Sequence, residues 1–189
     1  MTDPTTTYLG AIGFLEFSSI AKGIEAADAI LKAAEVDLVF AHATCPGKYA
    51  VLFSGEVAAV QSSLEAGALC GGTFVVDSVV IPRIHPQVVE AIGLSAMPER
   101  MNALGVMEFF SITAAVYAAD AAVKAADVDL IDVRLGTGIG GKSYVILTGE
   151  VAAVTEAVAC GVASEGDRGL LVSDVVIPNP RPEIFESLL

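Results

Sequence analysis

The sequence is poor in basic and aromatic residues, and these shortages argue against several classes of function. Only 10 of the 189 residues are Lys or Arg, against 23 Asp or Glu, and the formal net charge is −13. Nucleic-acid binding is driven by clusters of Lys and Arg that neutralise phosphates, so the composition predicts no nucleic-acid partner. The sequence also contains no run of basic residues that would indicate attachment to a membrane surface.

Long apolar segments are absent too, although 54% of the residues are hydrophobic and the mean hydropathy is +0.67. Charge-free stretches such as residues 109–119 are well short of the roughly 20 apolar residues that a membrane-spanning helix needs. An acidic residue, Asp3, stands where a signal peptide carries basic residues. We therefore expect a soluble, cytosolic protein, and we expect part of the apolar surplus to be buried between subunits.

Residues that carry catalytic or metal chemistry are also few. The three cysteines, Cys45, Cys70 and Cys160, are widely spaced and form no Cys-x-x-Cys pair, which is typical of a reducing compartment rather than a disulfide framework. No sequence pattern links the two histidines, His42 and His85, to a nucleophile or to a metal cluster. The sequence therefore predicts that the protein is not an enzyme.

An internal repeat organises most of the chain. At an offset of 92 residues, residues 13–38 align with 105–130, and 15 of the 26 pairs are identical. The run GEVAAV at residue 55 recurs at residue 149, and VVIP at residue 79 recurs at residue 175. We therefore predict two copies of one small domain, over residues 8–95 and 102–189, with a short helix and linker at 86–101.

Each copy is predicted to contain six elements in the order βαββαβ. In the first copy the strands are expected at 9–17, 37–43, 49–54 and 73–81, the last closing at Pro82. The first helix is expected to place Ile20, Ile24, Ala27 and Leu31 on one face, and the second, from Glu56, to place Val57, Val60 and Leu64 together. This order is the ferredoxin-like α+β arrangement, an antiparallel sheet with both helices on one face.

One motif imitates a nucleotide-binding loop. Residues 136–143, GTGIGGKS, match both the Walker A pattern and G-x-G-x-x-G. Both motifs need a glycine loop that leads from a strand directly into a helix, whose amide groups then bind phosphate. Here the loop is predicted to join two strands, 130–135 and 144–148, and we interpret it as a compact glycine turn. The first copy shares only the Gly-Lys pair, as Gly47-Lys48 beside Gly141-Lys142.

A glutamate recurs in the first strand of each copy, as Glu16 and Glu108. A buried carboxylate is costly unless it is hydrogen-bonded or paired. We favour a structural hydrogen-bonding role for these glutamates over a functional one.

The repeated segments, the central loops TCPGK and GIGGK and the motif VVIPRIHP together resemble the shell-protein domain of bacterial microcompartments. Two such domains in one chain are similar to the trimeric, tandem-domain shell proteins, in particular the iron–sulfur-bearing propanediol-utilisation type. The resemblance covers essentially both repeats. It implies a homotrimer whose six domains form a flat pseudo-hexagonal tile, packed with other shell proteins in a microcompartment in the cytoplasm.

The resemblance also assigns roles to individual residues. The loops between the second and third strands are implied to line a central pore. The pore residues would be Thr44, Cys45, Pro46, Gly47, Lys48, Gly138, Ile139, Gly140 and Gly141. Contacts at the tile edge are implied for Lys32, Lys124, Arg83 and His85. The second copy departs from the edge motif Pro-Arg-x-His, because it reads Pro178-Asn179-Pro180-Arg181, with Asn179 and Arg181 in place of Arg83 and His85.

By the same resemblance, Cys45 of three chains would hold one [4Fe–4S] cluster at the pore and leave one iron without a protein thiolate. A cluster there would serve electron transfer across the shell, with a redox protein, encapsulated or cytosolic, as partner. Two alternatives stay open: a metal-free pore that conducts small metabolites, and a regulatory trimer that binds a small effector. Cys70 and Cys160 are not equivalent in the repeat, and we expect them to be small buried apolar residues without a metal role.

Overall fold

The computed structural model of the chain describes residues 10–93, 102–136, 138–164, 166 and 169–188. Contacts divide the chain into two compact units, and the division falls after Pro86. The helix that follows the first copy of the repeat therefore belongs, by its contacts, to the second unit. The predicted domain bounds of 8–95 and 102–189 stay a prediction.

The described residues of the first unit form four strands and two α-helices in the predicted order. The strands are β1 (Ala11–Phe17), β2 (Asp37–Thr44), β3 (Lys48–Gly55) and β4 (Val75–Pro82), and the helices are α1 (Ile20–Ala33) and α2 (Val57–Gly71). Ser19 caps α1 by accepting a hydrogen bond from the Lys22 N–H. The predicted fourth strand began too early, because Thr73 and Phe74 lie in a 3₁₀ turn before β4. Leu9, predicted to open β1, lies outside the described residues.

The second unit repeats this arrangement after the short helix α3 (Pro86–Gly93). Its strands are β5 (Ala103–Phe109), β6 (Val128–Leu135), β7 (Ser143–Gly149) and β8 (Leu171–Pro178), and its helices are α4 (Ile112–Ala125), α5 (Val151–Ala163) and the terminal α6 (Pro182–Glu186). Ser111 caps α4 as Ser19 caps α1. None of the helices in the described parts of the chain is long and apolar enough to cross a membrane.

Each unit holds one four-stranded sheet in which all neighbouring strands are antiparallel. The strand orders are β2-β3-β1-β4 and β6-β7-β5-β8. Both helices of each unit pack on the same face of its sheet, and the core lies between helices and sheet. The predicted ferredoxin-like fold is confirmed in both copies.

The predicted apolar face of α1 is only partly the face that packs on the sheet. Of its four residues only Ala27 is buried, whereas Ile20, Ile24 and Leu31 are exposed. The core face instead consists of small residues and one isoleucine: Gly23, Ala26, Ala27 and Ile30. A side chain at Gly23 would collide with the ring of Tyr49, since a Cβ there would lie 2.5 Å from the ring. Close packing of α1 on β3 therefore favours small residues on the inner face and leaves the bulky ones outside.

Candidate functional site

The candidate site consists of two loops at equivalent places in the two units. One loop joins β2 to β3, and the other joins β6 to β7. Neither loop leads into a helix, so the geometry of a nucleotide-binding glycine loop is absent from this part of the described chain, as predicted. Pore and edge assignments for individual residues stay predictions.

The first loop is a tight turn with Cys45 at one of its two central positions. The Gly47 N–H donates to the Thr44 carbonyl at 3.0 Å, the Cys45–Pro46 peptide bond is cis, and Gly47 has φ +88°. A residue other than glycine rarely adopts that φ. Cys45 is a free, partly exposed cysteine, and apart from Gly47 and its two chain neighbours no atom lies within 4 Å of a Cβ built on Gly47. The turn therefore holds a partly exposed thiol at the end of the sheet.

The second loop is longer and is shaped by glycine. Gly136 N–H donates to the Lys142 carbonyl at 3.1 Å, and Gly138, Gly140 and Gly141 have φ of +76°, +69° and +81°. Ile139 is half-buried, and Thr137 lies outside the described residues. The left-handed backbone thus accounts for the glycines that imitate a phosphate-binding motif.

The lysine that ends each loop turns back to the sheet and pairs with the repeated glutamate. Lys48 Nζ lies 3.0 Å from Glu16 Oε2, and Lys142 Nζ contacts Glu108 Oε1. Glu16 is buried, so the ammonium group compensates the cost of taking this carboxylate out of water. In a phosphate-binding loop the lysine reaches the phosphates. Here both lysines are engaged by carboxylates, which supports the structural role favoured for Glu16 and Glu108.

Replacing Glu16 with glutamine should loosen the Cys45 turn. The Glu16→Gln variant loses the charge partner of Lys48, and we expect its free energy of unfolding to fall by about 1–2 kcal/mol because the pair is only partly exposed. Urea denaturation followed by circular dichroism measures this change. Glu25→Gln breaks an exposed pair with Lys22 that solvent screens, and it should leave the free energy of unfolding almost unchanged. Equal effects in the two variants would contradict a positioning role for Glu16.

A polar group on β6 and β7, beside the second loop, was not predicted from the sequence. Arg134 Nη2 lies 2.9 Å from Oδ2 of the buried Asp132, and Tyr144 is the cross-strand partner of Arg134. Burial, together with the Asp132 carboxylate, raises the pKa of the Tyr144 phenol. The equivalent positions in the first unit are Phe40 and His42, whose rings stack at 4.6 Å. The two-residue spacing of Asp132 and Arg134 indicates that both lie on one face of a strand. That Tyr144 is opposite Arg134 depends on the strand register, which the sequence does not give.

The predicted edge residues lie on helix α1, on helix α4 and beyond β4. Lys32 pairs with Asp28, and Lys124 with Asp120, so each Asp-x-x-x-Lys motif forms an ion pair within its own helix. The Arg83 N–H donates to the Gly10 carbonyl, and Arg83 has φ +53°. Asn179, which replaces Arg83 in the second copy, keeps both the positive φ and the equivalent hydrogen bond, to the Asn102 carbonyl. His85 is half-buried and Arg83 is exposed.

Within the described residues of one chain, no three His, Cys, Asp or Glu side chains come together to hold a metal ion. Cys70 is partly buried against the core of the first unit, as expected. Cys160 differs from the expectation because it is partly exposed and its thiol contacts Glu156 Oε1 at 3.5 Å. This contact raises the pKa of the Cys160 thiol and disfavours the thiolate that a metal requires. A metal at Cys45 would therefore need ligands from other chains.

Comparisons with known proteins agree with the fold and the repeat. The profile of the BMC domain matches residues 11–84 and 103–180. The chain is 44% identical over 180 residues to the bacterial microcompartment shell protein PduT of Citrobacter freundii, covering 95% of this chain and 97% of that protein.

Two solved structures are similar along most of the chain. A crystal structure of a microcompartment protein from Desulfitobacterium hafniense superposes with a TM-score of 0.90 at 50% identity and covers 94% of this chain and 99% of that one. A fused permuted hexameric shell protein from the RMM microcompartment has a TM-score of 0.59 at 25% identity and covers 81% of this chain and 82% of that one.

Proposed function

The chain belongs to the BMC-domain family of bacterial microcompartment shell proteins, and we propose that three copies close into a pseudo-hexagonal tile around a central pore. Its place is the microcompartment shell, where it packs beside other shell proteins. The first loop of each chain lies at the pore in this proposal and brings three copies of Cys45 to one axis.

The observation that supports the trimer is a difference in side-chain exposure between the equivalent helices α1 and α4. Ile24 on α1 is 55% exposed, whereas its repeat equivalent on α4, Val116, is 1% exposed. Ile20 and Ile112 differ in the same way. The chain thus buries this face of α4, whereas the equivalent face of α1 is apolar and exposed to solvent. A second copy of the chain would cover the open face of α1, and repeating this contact head to tail closes a ring.

A shared [4Fe–4S] cluster fits the donor chemistry of Cys45. Thiolates are the usual ligands of iron–sulfur clusters, and Cys45 is a partly exposed, free thiol on a turn that has open space beside it. Since one chain offers one suitable thiol, three copies would supply three thiolates. When bound, the cluster supplies a one-electron carrier, and we propose that it moves electrons across the shell to a redox protein.

Purified protein tests both levels of the proposal. We expect a trimer by light scattering and, after purification without oxygen, about four irons and four sulfides per trimer, with a brown colour and an EPR signal on reduction. A colourless trimer that takes up no iron on reconstitution would leave a metal-free pore tile for small metabolites. A monomer at high concentration would contradict the tile itself, and sheets of tiles in electron micrographs would exclude a freely diffusing regulatory trimer.

A further inference from the structure

Helix α3 makes a specific contact with the edge of the second sheet. Gln87 Oε1 accepts a hydrogen bond from the Leu130 N–H of β6 at 3.1 Å. The inner face of α3 is buried, with Val88 at 0% and Ala91 at 4% exposure, and Leu130 on β6 is 5% exposed. The contact falls beside a bulge in β6, where the pairing with β7 shifts by one residue between Leu130 and Asp132. The irregular edge leaves a backbone donor that a side chain satisfies.

Each of the two surfaces in this contact, the short helix and the bulged edge strand, has a second copy elsewhere in the repeat. Helix α6 follows the second copy as α3 follows the first, and Glu183 and Ile184 align with Gln87 and Val88. Strand β2 carries the same bulge as β6, between Leu38 and Phe40, so Leu38 holds the place of Leu130. These second copies are exposed: Ile184 by 45% and Leu38 by 44%.

We propose that α6 of one chain docks on the β2 edge of a neighbouring copy, with the Glu183 carboxylate accepting a hydrogen bond from the Leu38 N–H. Ile184 takes the place of Val88 and covers apolar surface that both chains leave exposed. The inference rests on the proposed trimer and assigns the residues of its chain-to-chain contact. The occupant is a second copy because the matching surface of the same chemistry lies on this chain itself.

Glu183 on α6, which stands where α3 has Gln87, can make the same hydrogen bond to a backbone N–H. A carboxylate oxygen accepts from a backbone N–H as an amide oxygen does, and the charge strengthens the bond. Arg181 lies 3.6 Å from Glu183 and offsets the negative charge that the interface takes up. Phe185 is buried against Leu104 and Ile146 of its own unit and anchors α6, so that Ile184 stays on the outer side.

Cross-linking with a short bismaleimide tests the contact. The background chain carries Cys45→Ser, Cys70→Ser and Cys160→Ala, and the last two changes insert the residue found in the other copy of the repeat. Adding Leu38→Cys and Glu183→Cys should produce covalent dimers and closed covalent trimers on a denaturing gel. Adding Gln87→Cys and Leu130→Cys to the same background should link within one chain, so the monomer band stays while the intact mass rises by one cross-linker and no free thiol remains; this serves as the positive control.

Each outcome separates the contact from the trimer. Covalent trimers from the Leu38/Glu183 pair, absent when either cysteine is introduced alone, support the proposal. A native trimer that yields no interchain product, while the Gln87/Leu130 control reacts, overturns the contact and leaves the trimer standing. A link within one chain only overturns the contact, and a native monomer overturns both the contact and the trimer. As a second measurement, Glu183→Ala should raise the concentration at which trimers dissociate about tenfold or more, whereas Glu183→Gln should not, because glutamine makes the equivalent bond at Gln87.

Discussion

Replacing Cys45 with serine should remove all iron and sulfide from the protein and leave the trimer intact. Serine is a hard oxygen ligand and a poor substitute for a thiolate in an iron–sulfur cluster, and within the described residues of one chain no three His, Cys, Asp or Glu side chains come together to hold iron instead. The turn keeps its shape because Pro46, Gly47 and the hydrogen bond from Gly47 to Thr44 are unchanged. The visible absorption spectrum and the iron and sulfide assays measure the loss, and light scattering measures the trimer.

The other two cysteines provide matched controls. Cys70→Ser and Cys160→Ala insert residues found in the other copy of the repeat, and both variants should keep their full iron content. Iron lost equally in all three variants would place the metal away from the pore or identify it as adventitious. A Cys45→Ser protein that retains a bound cluster would contradict the assignment of the thiolate ligand.

Much of the fold could be predicted because each pattern that indicates a strand, helix or turn occurs in both copies of the repeat. The alternating strands, the Gly-Glu pair at the start of the second helix and the closing Val-Val-Ile-Pro recur at nearly constant offsets, and both copies fold alike. The turn chemistry was equally visible, since Pro46 and Gly47 mark a tight turn between two strands. Local patterns thus determined the elements and the position of the Cys45 loop.

The orientation of α1 could not be predicted in the same way. Its sequence carries two stripes, one of small residues and one of bulky apolar residues, and hydrophobic periodicity favours the bulky one as the core. The sheet accepts the small stripe because α1 packs closely on Tyr49. A single sequence does not distinguish a core stripe from one that another subunit covers.

The ion pairs of the loop lysines with Glu16 and Glu108 also could not be predicted from the sequence. Glu16 and Lys48 are 32 residues apart, and their contact requires both the adjacency of β1 and β3 and a register that pairs Glu16 with Ala50. Both residue pairs recur in the repeat, which indicated importance but not that they meet. The same limit concealed the group formed by Asp132, Arg134 and Tyr144.

Placing a charge on the open face of α1 should dissociate the trimer without unfolding the chain. Ile24 is more than half exposed in the single chain, so Ile24→Glu should change the free energy of unfolding of the monomer by less than about 0.5 kcal/mol. In the trimer the carboxylate would be buried three times without a partner, and each interface would lose the roughly 1.5–3 kcal/mol of a buried isoleucine. We expect a folded monomer by light scattering at concentrations where the native chain is a trimer.

The repeat supplies the decisive comparison at the equivalent position of α4. Val116→Glu inserts the same carboxylate where the chain itself already buries the side chain, and it should destabilise the fold by about 3–5 kcal/mol. Circular dichroism should therefore show a folded Ile24→Glu protein and a partly or wholly unfolded Val116→Glu protein. An Ile24→Glu protein that remains trimeric would show that α1 faces solvent in the assembly. In that case the apolar stripe on α1 would have to serve contacts between tiles rather than within one.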